Sequence, residues 1–222
     1  MKTCVIIPAY NESKTIHGLI TAVKVFVPDV LVIDDGSADN TAELARQAGA
    51  IVLSFKHNGG KGKALKDGFD YAVKNNYEAV VAMDADGQHV HDDILKIIGA
   101  GAANPSIGMV VGNRMANPED MPLVRFITNL FMSLIISAIC RQNIPDTQCG
   151  YRLIRCGLLK KMDLISSNYE IESELLIKAS RLGFKIISVP IKSVYEGQVS
   201  LINPLLDTWR FFVMLGRILF TK

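Results

Sequence analysis

Residues 5–37 read VIIPAYNESKTIHGLITAVKVFVPDVLVIDDGS, and this stretch decides the fold. Val5 to Ile7 is a short apolar, β-branched run stopped by Pro8, which reads as a buried strand. Ile16, Leu19, Ile20 and Val23 then follow the i, i+3, i+4, i+7 rule of a helix with one apolar face. Val30 to Ile33 returns to the strand pattern and ends in two aspartates. Outward from this unit the alternation continues. Further strands are predicted at Ile51 to Ser54, Ala79 to Met83, Met109 to Val111 and Ile186 to Val189, and Asn40 with Glu43 has the spacing of a capping box before another helix. Strand–helix alternation predicts an α/β fold with a single, mostly parallel sheet flanked by helices, whose ligands bind at the carboxyl ends of the strands.

The polar motifs fall at those ends. ProAlaTyrAsnGlu (8–12) follows the first strand, AspAspGlySer (34–37) the second and AspAlaAspGlyGlnHis (84–89) the fourth. The chain has 222 residues, 49% hydrophobic and 21% charged, which suits one domain with a large core and a small appendage. Its 24 basic and 22 acidic residues leave a formal charge of +2, too little for a nucleic-acid-binding field. Cys4, Cys140, Cys149 and Cys156 form no CxxC pair and read as buried free thiols in a reducing compartment. The amino terminus enters its first strand directly, without the pattern of a secretion signal.

From about residue 115 the character changes. Leu123 to Cys140 is almost wholly apolar, with Arg125, Asn129, Ser133, Ser137 and Arg141 forming one narrow polar stripe. The uninterrupted apolar part falls short of the ~20 residues of a spanning helix. Pro204 to Phe220 repeats the idea, with Asp207, Arg210 and Arg217 on one face and aromatics on the rest. Interfacial helices fit both segments, with packing in the core or a homo-oligomer as the competing reading. The expected division is a catalytic domain over 1–203, including an interfacial helix at 121–141, and an amphipathic membrane-associating helix over 204–222.

Alternate carboxylates Asp84 and Asp86 at a strand end can bind a hard divalent ion that also takes diphosphate oxygens. An Asp-rich turn would give the same pattern alone, and the offsets exclude an EF-hand. His89 and His91 lack a third partner and read as solvated. Asp34 and Asp35 can accept hydrogen bonds from a base or ribose, or serve only as a turn before a helix. AsnGlyGlyLysGlyLysAla (58–64) lacks Walker A spacing, but its glycines permit close backbone approach and Lys61 or Lys63 can offer charge. Arg114 and Arg152 are candidate forked donors to phosphate, or surface ion pairs.

Taken in order, ProAlaTyrAsnGlu, AspAspGlySer with Asp39, GlyLysGlyLysAla, AspAlaAspGlyGlnHis, GlyAsnArg and CysGlyTyrArg resemble the family 2 glycosyltransferases. The closer resemblance is to the branch of dolichyl-phosphate mannose synthase and polyprenyl-phosphate sugar transferases, and it covers essentially the whole chain. It implies a GT-A fold, inversion at the anomeric carbon and a Mg or Mn cofactor. By position, Pro8, Ala9, Tyr10, Glu12, Asp34 and Asp35 would hold the nucleoside. Lys61, Lys63 and Ala85 would join the nucleotide-sugar site, Asp84, Asp86 and Gln88 the metal, and Arg114 and Arg152 the phosphates. Glu170 to Leu175 and Tyr195 to Asn203 also resemble late segments of this branch. The implied donor is GDP-mannose or UDP-glucose, and the acceptor a polyprenyl or dolichyl phosphate.

A phosphate acceptor, already largely dianionic at neutral pH, needs no general base; Asp146 is the candidate only for a hydroxyl acceptor. The expected location is peripheral, on the cytoplasmic face of a membrane, with a separate membrane-protein partner or a homo-oligomer as further options. A soluble acceptor or a non-catalytic nucleotide-binding scaffold are the alternatives. The absence of a GxGxxG turn argues against a dinucleotide oxidoreductase, and ProAlaTyrAsnGlu stands where a nucleotidyltransferase would carry a Gly-rich basic loop.

Overall fold

A computed structural model describes residues 1–118, 121–192 and 204–220. The first half alternates as its apolar periodicity requires: β1 (Thr3–Ala9), α1 (Ile16–Lys24), β2 (Val30–Asp34), α2 (Thr41–Gln47), β3 (Ile51–Ser54), α3 (Lys61–Lys74) and β4 (Ala79–Ala82). There follow α4 (Ile94–Ala102), β5 (Ile107–Asn113), α5 (Leu123–Cys140), β6 (Arg152–Arg155), α6 (Cys156–Leu159), α7 (Ile171–Arg181), β7 (Lys185–Pro190) and α8 (Pro204–Phe220).

The strands form one sheet in the order β3-β2-β1-β4-β6-β5-β7. All pairings are parallel except those of β6, which runs antiparallel to both β4 and β5. β6 escapes the apolar-run pattern because it reads RLIR, with an arginine at each end. Arg155 becomes tolerable there by donating from Nε to the Ile107 carbonyl at 2.8 Å and from Nη2 to that of Gly101 at 2.7 Å.

Between β1 and β4 the order of strands reverses, because the chain leaves β1 toward β2 and β3 and returns on the other side. A crevice opens at the carboxyl ends of strands at such a switch point. Tyr10–Glu12 and Asp84–Asp86 meet there. The central strands supply the core, with Cys4 to Ile7, Leu31 to Ile33, Val80 and Val81 fully buried. All four cysteines are free and buried, and burial pushes their thiols up to between about 11 and about 12.

The expected Asn40 cap does not form: no side-chain bond from Asn40 caps α2. Asp39 does that work, its Oδ1 accepting from the Thr41 amide at 3.0 Å while Oδ2 accepts from the Ser13 amide at 3.2 Å. One carboxylate therefore ties the loop after β1 to the loop after β2.

The orientation of α5 inverts the usual arrangement of an amphipathic helix. Its polar stripe faces the protein: Asn129 and Ser133 are buried, and Ser137 exchanges hydrogen bonds with Ile144 through Oγ. Leu123, Val124, Ile127, Leu130, Phe131 and Leu134 point outward, 44% to 79% exposed. Mean hydropathy over these 18 residues is 2.0, enough by length and composition to cross a membrane. The inner face, however, packs on α7 and is bonded to the segment before β6. On α8, Phe211, Met214, Leu215 and Ile218 enter the common core, while Trp209 and Phe212 are exposed. The Tyr195 to Asn203 segment and the Asp207 side chain lie outside the described residues.

Candidate active site

The loop after β1 and the loop after β4 are joined by Thr15, whose hydroxyl donates to the Ala85 carbonyl at 2.8 Å. Ala85 itself is buried, and its carbonyl is committed to that bond. Pro8 and Ala9 still belong to β1, paired in register with Ile33 and Asp34, and Tyr10 stands 39% exposed at the mouth of the crevice. Glu12 accepts at Oε2 from Thr15. Burial raises its pKa above the ordinary carboxylate value, against the Thr15 bond, and the charges of Asp86, Asp39 and Asp84 raise it further.

Asp34 and Asp35 are both buried. Asp34 Oδ1 accepts from the Ser37 amide at 3.1 Å, a local turn. Asp35 reaches further: its two oxygens accept from the amides of Gly59 and Gly60, each at 2.8 Å, and so hold the glycine loop against the end of β2. Gly60 has φ +93°, a left-handed conformation that glycine adopts without strain. A β-carbon on Gly62 would meet the backbone of Ser167 and Asn168 at 2.7 to 2.9 Å. The loop before α3 is thereby clamped between Asp35 and the segment that leads into α7.

Lys61, the first residue of α3, carries this packing into the crevice. Its Nζ lies 2.6 Å from Asp84 Oδ1 and 2.6 Å from Glu172 Oε1. Burial opposes the ammonium, but the two carboxylates outweigh it and hold Lys61 charged. Lys63, two residues on, points elsewhere: it pairs with Asp67 at 2.6 Å and covers the Phe55 ring, 47% exposed. As placed, Lys63 belongs to the surface of α3 and not to the crevice expected of it.

Asp84 and Asp86 titrate in opposite directions. Burial works against the Asp84 anion, yet Lys61 and His89 overcome it and keep this carboxyl far below the usual range. Burial and then the neighbouring Asp84 charge raise Asp86. A strained pair of carboxylates of this kind is what a divalent cation relieves, and the donor set of hard oxygens suits Mg²⁺ or Mn²⁺. Among the described residues no three acidic, histidine or cysteine side chains converge. Gln88 follows in the same turn, its amide donating to Asp86 Oδ1 at 3.0 Å.

His89 is not the solvated residue its sequence context suggested. It is 5% exposed, its Nε2 lies 3.5 Å from Asp84 Oδ2, and its ring packs on Tyr151 with centroids 5.1 Å apart. His91 does face solvent, with 43% of its side chain exposed.

The two arginines are held in different ways. Arg114 grips Asp146 with Nε at 2.7 Å and Nη2 at 2.9 Å, and its amide donates to the same carboxylate at 3.0 Å. Asp146 is fully buried, takes a further bond from Asn129 of α5 at 2.7 Å, and is held below the ordinary range by these partners despite burial. An anion so engaged is a brace for Arg114, not a general base. Arg152 is 1% exposed, and its guanidinium donates to the carbonyls of Cys149, Glu172 and Thr147 at 2.6, 2.5 and 2.7 Å. With those donors used on backbone, Arg152 ties the loop before β6 to the start of α7.

The acidic repeat at the start of α7 is organised by position. Glu170 Oε1 accepts from the amides of Ser167 and Asn168, both at 3.3 Å, and Glu174 accepts from those of Ile165 and Ser166 at 2.9 and 2.8 Å. Glu172, between them, turns toward Lys61. Sequence reasoning singled out this segment without a role. The i, i+2, i+4 spacing of its carboxylates just inside a helix start was the available signal, since acidic groups favour the amino end of a helix.

Comparison with known proteins gives the family and the fold. The model of the family described as Glycosyl transferase family 2 matches residues 4–163. A UDP-N-acetylglucosamine–dolichyl-phosphate N-acetylglucosaminyltransferase of Methanococcus voltae is 34% identical over 86% of this chain and 84% of its own length. A polyprenol monophosphomannose synthase of Mycolicibacterium smegmatis is 30% identical over 86% of this chain and 76% of its own. Among solved structures, glucosyl-3-phosphoglycerate synthase from Mycobacterium tuberculosis in complex with Mn²⁺, uridine diphosphate and phosphoglyceric acid superposes with a TM-score of 0.75. That match has 21% identity and covers 98% of this chain and 77% of that one, and it identifies the fold as GT-A.

Proposed function

Because the chain belongs to glycosyl transferase family 2, in the branch of polyprenyl- and dolichyl-phosphate sugar transferases, we propose that it is an inverting enzyme moving a hexose from a nucleotide-sugar to a polyprenyl phosphate at a membrane surface. The observation that carries this reading is the inverted α5. Its inner polar face braces Asp146 and hence Arg114, while its outer face offers six large apolar side chains. Each, 44% to 79% exposed, would gain about 1 kcal/mol or more on entering lipid, enough together for stable adsorption. The exposed Trp209 and Phe212 of α8 suit the headgroup boundary. The relatives' names, with dolichyl phosphate and polyprenol as acceptors, support the same class of acceptor.

In this reading Tyr10, at the crevice mouth, covers the base, and Asp35, with Asp34 behind it, accepts from the base or ribose. Asp84, Asp86 and Gln88 would hold the divalent ion, which neutralises the departing diphosphate. Lys61 lies against Asp84, where it meets diphosphate charge. Arg114, fixed in direction by Asp146, supplies the positive field for the acceptor phosphate. An acceptor phosphate oxygen attacks the anomeric carbon as its bond to the diphosphate oxygen breaks on the opposite face, and the bonding electrons leave with the nucleoside diphosphate. No proton has to be removed from the acceptor, consistent with a site whose buried Asp146 is fully engaged.

The test is turnover of labelled GDP-mannose, UDP-glucose and UDP-N-acetylglucosamine with a polyprenyl phosphate in detergent, with Mg²⁺ or Mn²⁺ and with chelator. Lipid-linked sugar from one donor, lost on chelation, is the expected result. Hydrolysis of a donor without any lipid product would remove the lipid acceptor from the reading.

A further inference from the structure

Lys61 sits on the carboxylate that the proposed reading gives to the metal. A divalent ion bound to Asp84 Oδ1 at the ~2.1 Å usual for Mg²⁺ would have to share that oxygen with an ammonium only 2.6 Å from it. Nor is Lys61 there by chance of rotamer. Glu172 holds it from the other side at 2.6 Å, and Glu172 is itself fixed by Arg152, whose Nη2 lies 3.6 Å from Oε2 and whose Nη1 donates to the Glu172 carbonyl. Asp84, Lys61, Glu172 and Arg152 thus form a chain of alternating charge, buried at Glu172 and Arg152 and part-buried at Lys61 and Asp84.

We propose that Lys61 is a resident counter-cation of the metal site, positioned by Glu172, and that the divalent ion enters together with the nucleotide-sugar, whose diphosphate receives the displaced ammonium. This rests on the metal-dependent transferase reading above. Charge balance gives the reason. Asp84, Asp86 and Glu172 set against Lys61 and Arg152 leave one negative charge among these five groups, so a divalent ion alone would set a second cation against the ammonium that already occupies Asp84. A diphosphate arriving with the ion restores the balance. The lysine stem is long enough to swing its charge by a few ångströms, whereas its Cα is fixed by the clamped glycine loop. Glu172 is a positioning residue in this scheme: it keeps Lys61 close by when Asp84 is given up to the ion.

Binding of Mn²⁺ to the full chain in detergent, read from the electron paramagnetic resonance signal of the free ion, tests this with and without GDP or UDP. Wild type is expected to bind Mn²⁺ at least tenfold more tightly when one of these nucleotides is present. Lys61→Met should bind Mn²⁺ about tenfold more tightly than wild type without nucleotide, and lose most of the nucleotide effect. Lys61→Arg should keep the wild-type pattern. Lys61→Gln, which retains donors for both carboxylates, serves if Lys61→Met does not fold. Glu172→Gln should reduce the nucleotide effect in the wild-type background and leave it unchanged in the Lys61→Met background, a non-additivity that a merely structural role would not produce. Nucleotide-free Mn²⁺ binding by both uncharged Lys61 variants no tighter than wild type overturns the proposal while leaving the transferase reading intact. Wild type that takes up no Mn²⁺ with either nucleotide overturns both.

Discussion

Gly150 lies directly against Asp84: a β-carbon at residue 150 would stand 2.8 Å from the Asp84 Cγ and Oδ1 and closer still to Oδ2. The loop that enters β6 is thus the wall that aims the carboxylate. Gly150→Ala should displace Asp84 from Lys61 and weaken Mn²⁺ binding in the presence of nucleotide by about tenfold or more, with the fold retained. Titration calorimetry checks the first expectation and circular dichroism the second. Unchanged metal affinity would mean that Asp84 is free to rearrange.

Asp86 is the carboxylate raised by burial and by the charge of Asp84. A raised pKa means that the folded chain binds the proton more tightly than the unfolded one. Stability from this group is therefore full below the unfolded pKa and lost as pH rises through the folded value. Asp86→Asn should raise the melting temperature of the metal-free chain at neutral pH, with the gain shrinking as pH falls into the ordinary carboxylate range. The same variant should show no metal-dependent transfer. A lower melting temperature at neutral pH would contradict the repulsion.

Asp146 behaves in the opposite sense. Its folded pKa is depressed, so its contribution is present above the unfolded value and disappears as pH drops through the folded one. Asp146→Ala leaves Arg114 and Asn129 without their shared acceptor and should cost about 3–5 kcal/mol. Asp146→Asn should flatten the acid limb of a plot of melting temperature against pH. Both should lower transfer, through Arg114.

Arg152→Lys separates a strut from a phosphate clamp. One ammonium cannot reproduce three bonds to the diverging carbonyls of Cys149, Glu172 and Thr147. A loss of about 2–4 kcal/mol in urea unfolding, with donor affinity little changed in the protein that remains folded, is expected. The reverse pattern would return Arg152 to the phosphates.

Leu130→Glu and Phe131→Glu alter only the exposed side of α5. They should abolish flotation with anionic liposomes and leave the melting temperature within a few degrees, whereas Ile136→Glu, on the buried side, should unfold the chain. Wild-type flotation in the first two would assign that face to a protein partner.

Much of this architecture is legible in the sequence, for physical reasons that differ from element to element. Strands such as Val30–Asp34 and Ala79–Ala82 are buried on both sides, so their apolar runs announce them. β6 is hidden because two arginines that normally signal surface have their donors taken up here by backbone carbonyls. For α5 the periodicity separated two faces, but hydrophobicity cannot say which face meets protein; that follows from the buried polar partners Asp146 and Thr147, distant in sequence. Asp84 and Asp86 were legible as a pair. The Lys61–Glu172 contact spans 111 residues and has no local signature.

On the proposed membrane-surface reading, the outward face of α5 also changes what a concentration means for this enzyme. Once adsorbed through that face, the catalyst searches a plane and not a volume. Its rate would then follow the surface density of acceptor, its mole fraction in the bilayer, and would fall when inert lipid is added at a fixed total amount of acceptor. A helix whose polar side is spent on its own fold would, on that reading, make the membrane part of the assay.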